Sequence, residues 1–128
     1  MIERILQEIE ILCKQYGELE YDPNGSWVLF KQFKVPVGWD REYTELLVII
    51  PSGYPSIPPD NFFVPTGFKI ASGKPIGNYS EPVAHINRQW GQFSYHLDGE
   101  WKPASNILDG DNLMSFMLKV NDRLEEAS

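Results

Sequence analysis

The sequence predicts an α+β domain, and three observations carry that prediction. An apolar stripe at helical spacing lies at each end of the chain, alternating β-branched and aromatic segments lie between them, and a proline-dense loop follows those segments. At 128 residues the chain supports one domain with a real hydrophobic core, and residues 1–128 are read as that single unit.

The first helix is expected over residues 1–16. Ile2, Ile5, Leu6, Ile9, Leu12 and Cys13 recur at three- and four-residue spacing, with Glu3, Gln7, Glu10 and Lys14 between them, and Gly17 stands where such a helix would stop. Cys13 falls on the apolar stripe, which predicts a packed core thiol. A catalytic thiol needs partial exposure and a neighbour that stabilises the thiolate.

Asp22-Pro23-Asn24-Gly25 is a turn signal, residues 27–35 alternate as a strand does, and residues 36–40 turn again. The second strand, residues 43–50, carries Leu46-Leu47-Val48-Ile49-Ile50, a run that predicts burial on both faces. So short a connection makes these two segments antiparallel neighbours.

Pro51, Pro55, Pro58 and Pro59 lack the N–H that a ladder needs, so residues 51–60 are expected to run as a stiff extended loop. A short third strand follows at residues 61–64. Residues 65–82 are Gly- and Pro-rich and read as loop, with residues 68–70 as their one strand-like stretch. Residues 85–101 are aromatic and polar without either period, and read as a long irregular stretch. The last helix is marked by Leu113, Phe116, Met117, Val120 and Leu124 on one face, with Lys119, Asp122, Arg123 and Glu125 opposite. Asp109 or Asp111 is the expected N-cap.

Composition excludes several functions. The net charge of −7 is poorly suited to a phosphate backbone, so no nucleic-acid partner is expected. The longest apolar run, residues 46–51, is strand-sized, and the N-terminus lacks a signal-peptide layout, so the expectation is a cytoplasmic protein without a membrane partner. One cysteine permits no intramolecular disulfide and no cysteine framework for zinc, so neither a metal nor a cofactor is expected.

Three local features, in this order, resemble the ubiquitin-conjugating (UBC) fold. Ile50-Pro51-Ser52-Gly53-Tyr54-Pro55-Ser56-Ile57-Pro58-Pro59 is similar to the family's Tyr-Pro-x-x-x-Pro loop, in which the tyrosine can fold under the loop while prolines fix its path. Trp101-Lys102-Pro103 resembles the Trp-x-Pro ahead of the family's later helix. His85-Ile86-Asn87 followed by His96-Leu97-Asp98 is similar to a His-Pro-Asn motif followed by a Cys-Leu-Asp segment, with Ile86 in place of the proline and His96 in place of the cysteine. The runs Leu46-Leu47-Val48-Ile49-Ile50-Pro51 and Pro59-Asp60-Asn61-Phe62-Phe63-Val64 resemble in particular the prokaryotic ubiquitin-conjugating-like family labelled E.

That resemblance implies a bacterial ubiquitin-like pathway, with a ubiquitin-like protein and a ubiquitin-activating-enzyme homologue as partners. It implies site residues as well. His96 would occupy the position of the nucleophile, Asp98 would orient or stabilise its ring, Asn87 would serve an oxyanion, and His85 would organise the loop. Tyr54, Pro55, Pro58 and Trp101 would contribute to partner binding, in a neighbourhood dense in aromatics (Trp90, Phe93, Tyr95).

A thiolate suits thioester exchange because it is nucleophilic and leaves readily. With Cys13 as the only thiol, the expected chain is a cysteine-less pseudoenzyme that binds its partners noncovalently. The alternatives are acyl transfer through the His96 imidazole, as nucleophile or general base, or a peptide-binding module in which His96 is structural. Ser94 is an alternative hydroxyl nucleophile in the same stretch, aligning less well than His96.

Overall fold

The computed structural model describes residues 2–96 and 101–126. The chain runs α1 (Ile2–Tyr16), β1 (Leu19–Asp22), β2 (Trp27–Lys34), β3 (Tyr43–Ile49), β4 (Phe62–Pro65), β5 (Tyr79–His85), β6 (Arg88–Phe93) and α2 (Leu113–Leu124). The strands form one six-stranded sheet in the order β1-β2-β3-β4-β6-β5, with every neighbouring pair antiparallel. This is the expected α+β, UBC-like arrangement of helix, meander, loop and final helix.

α1 buries Ile5, Glu8 and Leu12, with Ile9 and Tyr16 half-buried beside them. Those positions sit three or four apart on one face. Cys13 follows Leu12 by one residue, about 100° around the helix, and is exposed. The expected core thiol is therefore corrected to a surface one.

Two cores flank the sheet. On the helix side, Val28, Phe30, Leu46, Val48, Phe62, Val64 and Phe93 meet Leu12 of α1 and Leu113, Phe116, Met117, Val120 and Leu124 of α2. On the other face, Leu29, Leu47, Phe63 and Trp90 form a smaller cluster, against which Trp27, Ile49, Val83 and Ile86 pack. The Leu46–Ile50 run is buried on both faces, as its composition implies, with only Ile49 half-exposed. The indole N–H of buried Trp39 donates to the Leu124 carbonyl at 2.7 Å, tying the end of α2 to the β2–β3 connection.

The strands differ from the sequence expectation in four places. Residues 19–22 form β1, which pairs with β2 across an Asp22 turn whose carboxylate accepts from the Asn24 and Gly25 N–H groups at 2.9 and 3.1 Å. The stretch expected to be irregular contains β6, paired with both β4 and β5. β5 carries an irregularity between Ser80 and Val83, at Glu81-Pro82, and this break masks its strand period. Residues 68–70 contribute only an isolated bridge, Trp39 with Ile70.

The N-cap of α2 is Asn112, not Asp109 or Asp111. Its side chain accepts from the Ser115 N–H at 2.8 Å and the Ser115 hydroxyl accepts from the Asn112 N–H at 2.9 Å, a reciprocal box. Asp111 is occupied elsewhere, accepting from the Lys102 N–H at 2.7 Å.

Glu8 joins these parts. It is 2% exposed; Oε1 accepts from the Tyr54 hydroxyl at 2.5 Å and from the Leu113 N–H at 2.6 Å, and Oε2 from Arg4 Nε at 2.9 Å. Leu113 opens α2, so the carboxylate satisfies a first-turn donor and sits at the positive end of the helix dipole. Arg4 extends the network to the Ala104 and Asp111 carbonyls at 2.6 and 3.3 Å. Burial first, and the Glu8 carboxylate second, raise the Tyr54 hydroxyl pKa well above the ordinary tyrosine value. Tyr79 is raised in the same sense, by burial and then by its bond to Glu81 at 2.6 Å.

Glu8→Leu strands the Arg4 charge and two donors, and is expected to cost about 3–5 kcal/mol in urea denaturation. Tyr54→Phe removes one bond to a charged acceptor and should cost about 1–3 kcal/mol; equal costs would argue against Glu8 as the common partner. Alkaline titration checks the hydroxyls. An unfolded tyrosine ionises near pH 10, so stability from Tyr54 and Tyr79 is present below that pH and lost as pH rises toward their higher folded values. Tyrosinate absorbance should therefore develop in two stages, the second coinciding with unfolding and smaller in the Tyr54→Phe, Tyr79→Phe double variant.

Candidate functional site

The proline loop turns rather than extends. Pro51 accepts from the Tyr54 N–H and Gly53 from the Ile57 N–H, both at 3.0 Å, because the residues between the prolines keep their donors. Tyr54 is thereby folded under the loop, only 3% exposed. Trp101 closes over it: its indole N–H donates to the Pro55 carbonyl at 2.7 Å, and its ring centroid lies 6.2 Å from that of Tyr54.

The segment after Trp101 packs closely on Gly110, where a Cβ would fall 2.6 Å from the Lys102 carbonyl oxygen and 2.7 Å from the Ala104 nitrogen. Of the residues expected to bind partners, Tyr54 therefore lies in the core with its hydroxyl occupied. Pro55, Pro58 and Trp101 remain half-buried at the rim, and Ser56 and Ile57 are exposed.

At the far end of the same loop stands His96. It is 57% exposed, and its ring Nδ1 is hydrogen-bonded to the Asp60 carboxylate. Their approach is set one residue inward. The Asn61 N–H donates to the Tyr95 carbonyl and the Tyr95 N–H to the Asn61 side-chain oxygen, each at 2.9 Å. Phe62 pairs with Phe93, so the register slips by one between that pair and Asn61–Tyr95, leaving exposed Ser94 as the extra residue. Asn61 absorbs the slip at φ +65°, a left-handed conformation that asparagine tolerates better than most residues.

His85, Ile86 and Asn87 lie elsewhere. Ile86 and Asn87, at φ +43° and +62°, form the two-residue turn of the β5–β6 hairpin, with His85 paired to Arg88. The His85 ring packs 4.5 Å from the Phe63 ring, and its carbonyl accepts from the Trp90 indole at 3.0 Å. Arg88 lies over the Trp90 ring at 4.0 Å and reaches the Glu45 carboxylate at 2.7 Å. Asn87 is exposed beside an open groove of about 650 Å³ on the sheet face away from the helices. The six residues of β6, roughly 20 Å of strand, separate it from His96. The structure thus brings His96 to Asp60 and brings neither His85 nor Asn87 to His96. Asp98 lies outside the described residues.

Two residues of these networks escaped the sequence reading. Glu8 carried a signal, since a carboxylate three residues after Ile5 and four before Leu12 must point inward with them. Asp60 carried none, because its partner is 36 residues away. Among the described residues, no group of three or more His, Cys, Asp or Glu is placed to hold a metal ion. Among the same residues, no helix is long and apolar enough to cross a membrane.

The family model described as prokaryotic E2 family E matches residues 5–127. No curated protein and no solved structure matches the chain.

Replacing Asn61 separates its two contributions. Asn61→Gly keeps the left-handed backbone and loses the Tyr95 bond, at an expected cost of about 1 kcal/mol. Asn61→Ala adds the left-handed penalty, for about 2–3 kcal/mol in all, read as the difference between their urea midpoints. The order reverses if φ at this position does not matter.

Proposed function

The chain belongs to prokaryotic E2 family E, and from that premise we propose that it is a cytoplasmic, E2-like component of a bacterial ubiquitin-like pathway that works by noncovalent binding. Its partners are a ubiquitin-like protein, a homologue of the ubiquitin-activating enzyme, or both.

The observation that carries this reading is the placement of the only thiol. Cys13 lies on the exposed side of α1, outside the Tyr54–Trp101 loop cluster, while His96 stands at the position where the resemblance expects the nucleophile. A domain with no thiol at that position keeps the docking surfaces of a conjugating enzyme without its thioester chemistry. The half-buried rim of Pro55, Pro58 and Trp101, with exposed Ile57, suits a protein partner more than a small molecule.

A second reading is favoured by one specific contact. The Asp60 carboxylate on Nδ1 is the arrangement that prepares a histidine for acyl transfer as nucleophile or general base. The two readings part in one experiment. The chain is incubated with the activating enzyme, ATP and the ubiquitin-like protein, and run on non-reducing gels beside calorimetric titration of the same partners. The expected outcome is heat of binding with no covalent adduct. An adduct that survives Cys13→Ala and disappears with His96→Ala would overturn the noncovalent reading in favour of the second.

A further inference from the structure

We infer that Asp60 is a positioning residue that holds His96 as the Nδ1–H tautomer and leaves Nε2 as an outward-facing base toward activated acyl groups, esters and thioesters alike. The functional half of this rests on the second reading above, and the tautomer half does not.

The tautomer follows from the donor inventory. An ionised carboxylate only accepts, so the ring nitrogen bonded to Asp60 must carry the proton. In neutral imidazole the other nitrogen then holds the lone pair. No protein partner for Nε2 is found among the described residues, and the ring is open to solvent.

Stability is a poor explanation for such a contact. Both side chains are more than half exposed, at 57% and 60%, and exposed ion pairs contribute little to folding. Orientation is a better one, because the backbone beside each partner is fixed. Asn61 and Tyr95 are cross-bonded twice, and buried Pro59 precedes Asp60. The carboxylate therefore reaches the ring from a rigid platform rather than from a free loop.

The acyl step this prepares is balanced by the ring and water. The Nε2 lone pair attacks the carbonyl carbon, and the bond to the leaving oxygen or sulfur breaks with its electron pair. The resulting acyl-imidazolium keeps its proton on Nδ1, hydrogen-bonded to the Asp60 carboxylate. Water then adds, the C–N pair returns to Nε2, and the carboxylic acid and a proton leave.

Two measurements on the full chain separate the two halves. The chain has two histidines, so His96→Ala assigns the signals in a two-bond proton–nitrogen correlation spectrum. The expected spectrum has neutral His96 in the Nδ1–H form, with a shift toward the Nε2–H form in Asp60→Ala and an unmoved His85. A wild-type Nε2–H form, or a tautomer indifferent to Asp60→Ala, overturns the inference.

The second measurement is p-nitrophenyl acetate hydrolysis. The rate is expected to vanish with His96→Ala and to fall about three- to tenfold with Asp60→Ala. The expected tautomer together with a hydrolysis rate that His96→Ala leaves unchanged would uphold the role of Asp60 in setting the proton's position. It would sink the acyl-transfer reading alone.

Discussion

A buried carboxylate is the constraint on which the arrangement of helices and loop depends. An ionised group away from water is costly unless each lone pair is matched, and Glu8 is matched from three directions: its own helix through Arg4, the proline loop through Tyr54, and the first turn of α2 through Leu113. None of those elements can slide without leaving the charge short of a partner. Apolar packing would hold the same elements together at many nearby offsets; this bond set selects one.

The loop then acts as a rigid bracket with two ends. At one end Tyr54 is pinned in the core, and at the other Asp60 faces His96. Between them lie three of the prolines, and the Tyr54 and Ile57 N–H groups bond back to Pro51 and Gly53. The surface pair inherits its placement from the core, although neither of its members is buried. Charge alone would not distinguish Asp60 from the many other acidic side chains of this chain. Attachment to a fixed loop does.

The sequence made the ends and the centre of the fold legible and hid its far side. Helical stripes and the Leu46–Ile50 run announce themselves because every residue on one face shares a fate. β5 and β6 do not, because Pro82 and the irregularity beside it break the period, and Trp90 points to a second core that a one-sided sheet would not have. Cys13 shows the limit of a stripe read by composition: an apolar residue one step off the buried line is on the surface. At the site, His96 was visible as a departure from a motif. Its partner was not, since contact between the loop and the segment after β6 depends on a one-residue slip at Ser94 that no local pattern encodes.

Pro82 also shapes one of the two open edges of the sheet. β5 and β1 are the open edges of the sheet, and an open edge offers unpaired backbone groups to any passing strand. On β5 the missing N–H of Pro82 and the adjoining irregularity interrupt that row midway; β1 is only four residues long and presents an exposed glutamate, Glu20. The same break that hid this strand from its sequence period guards the domain against edge-to-edge aggregation.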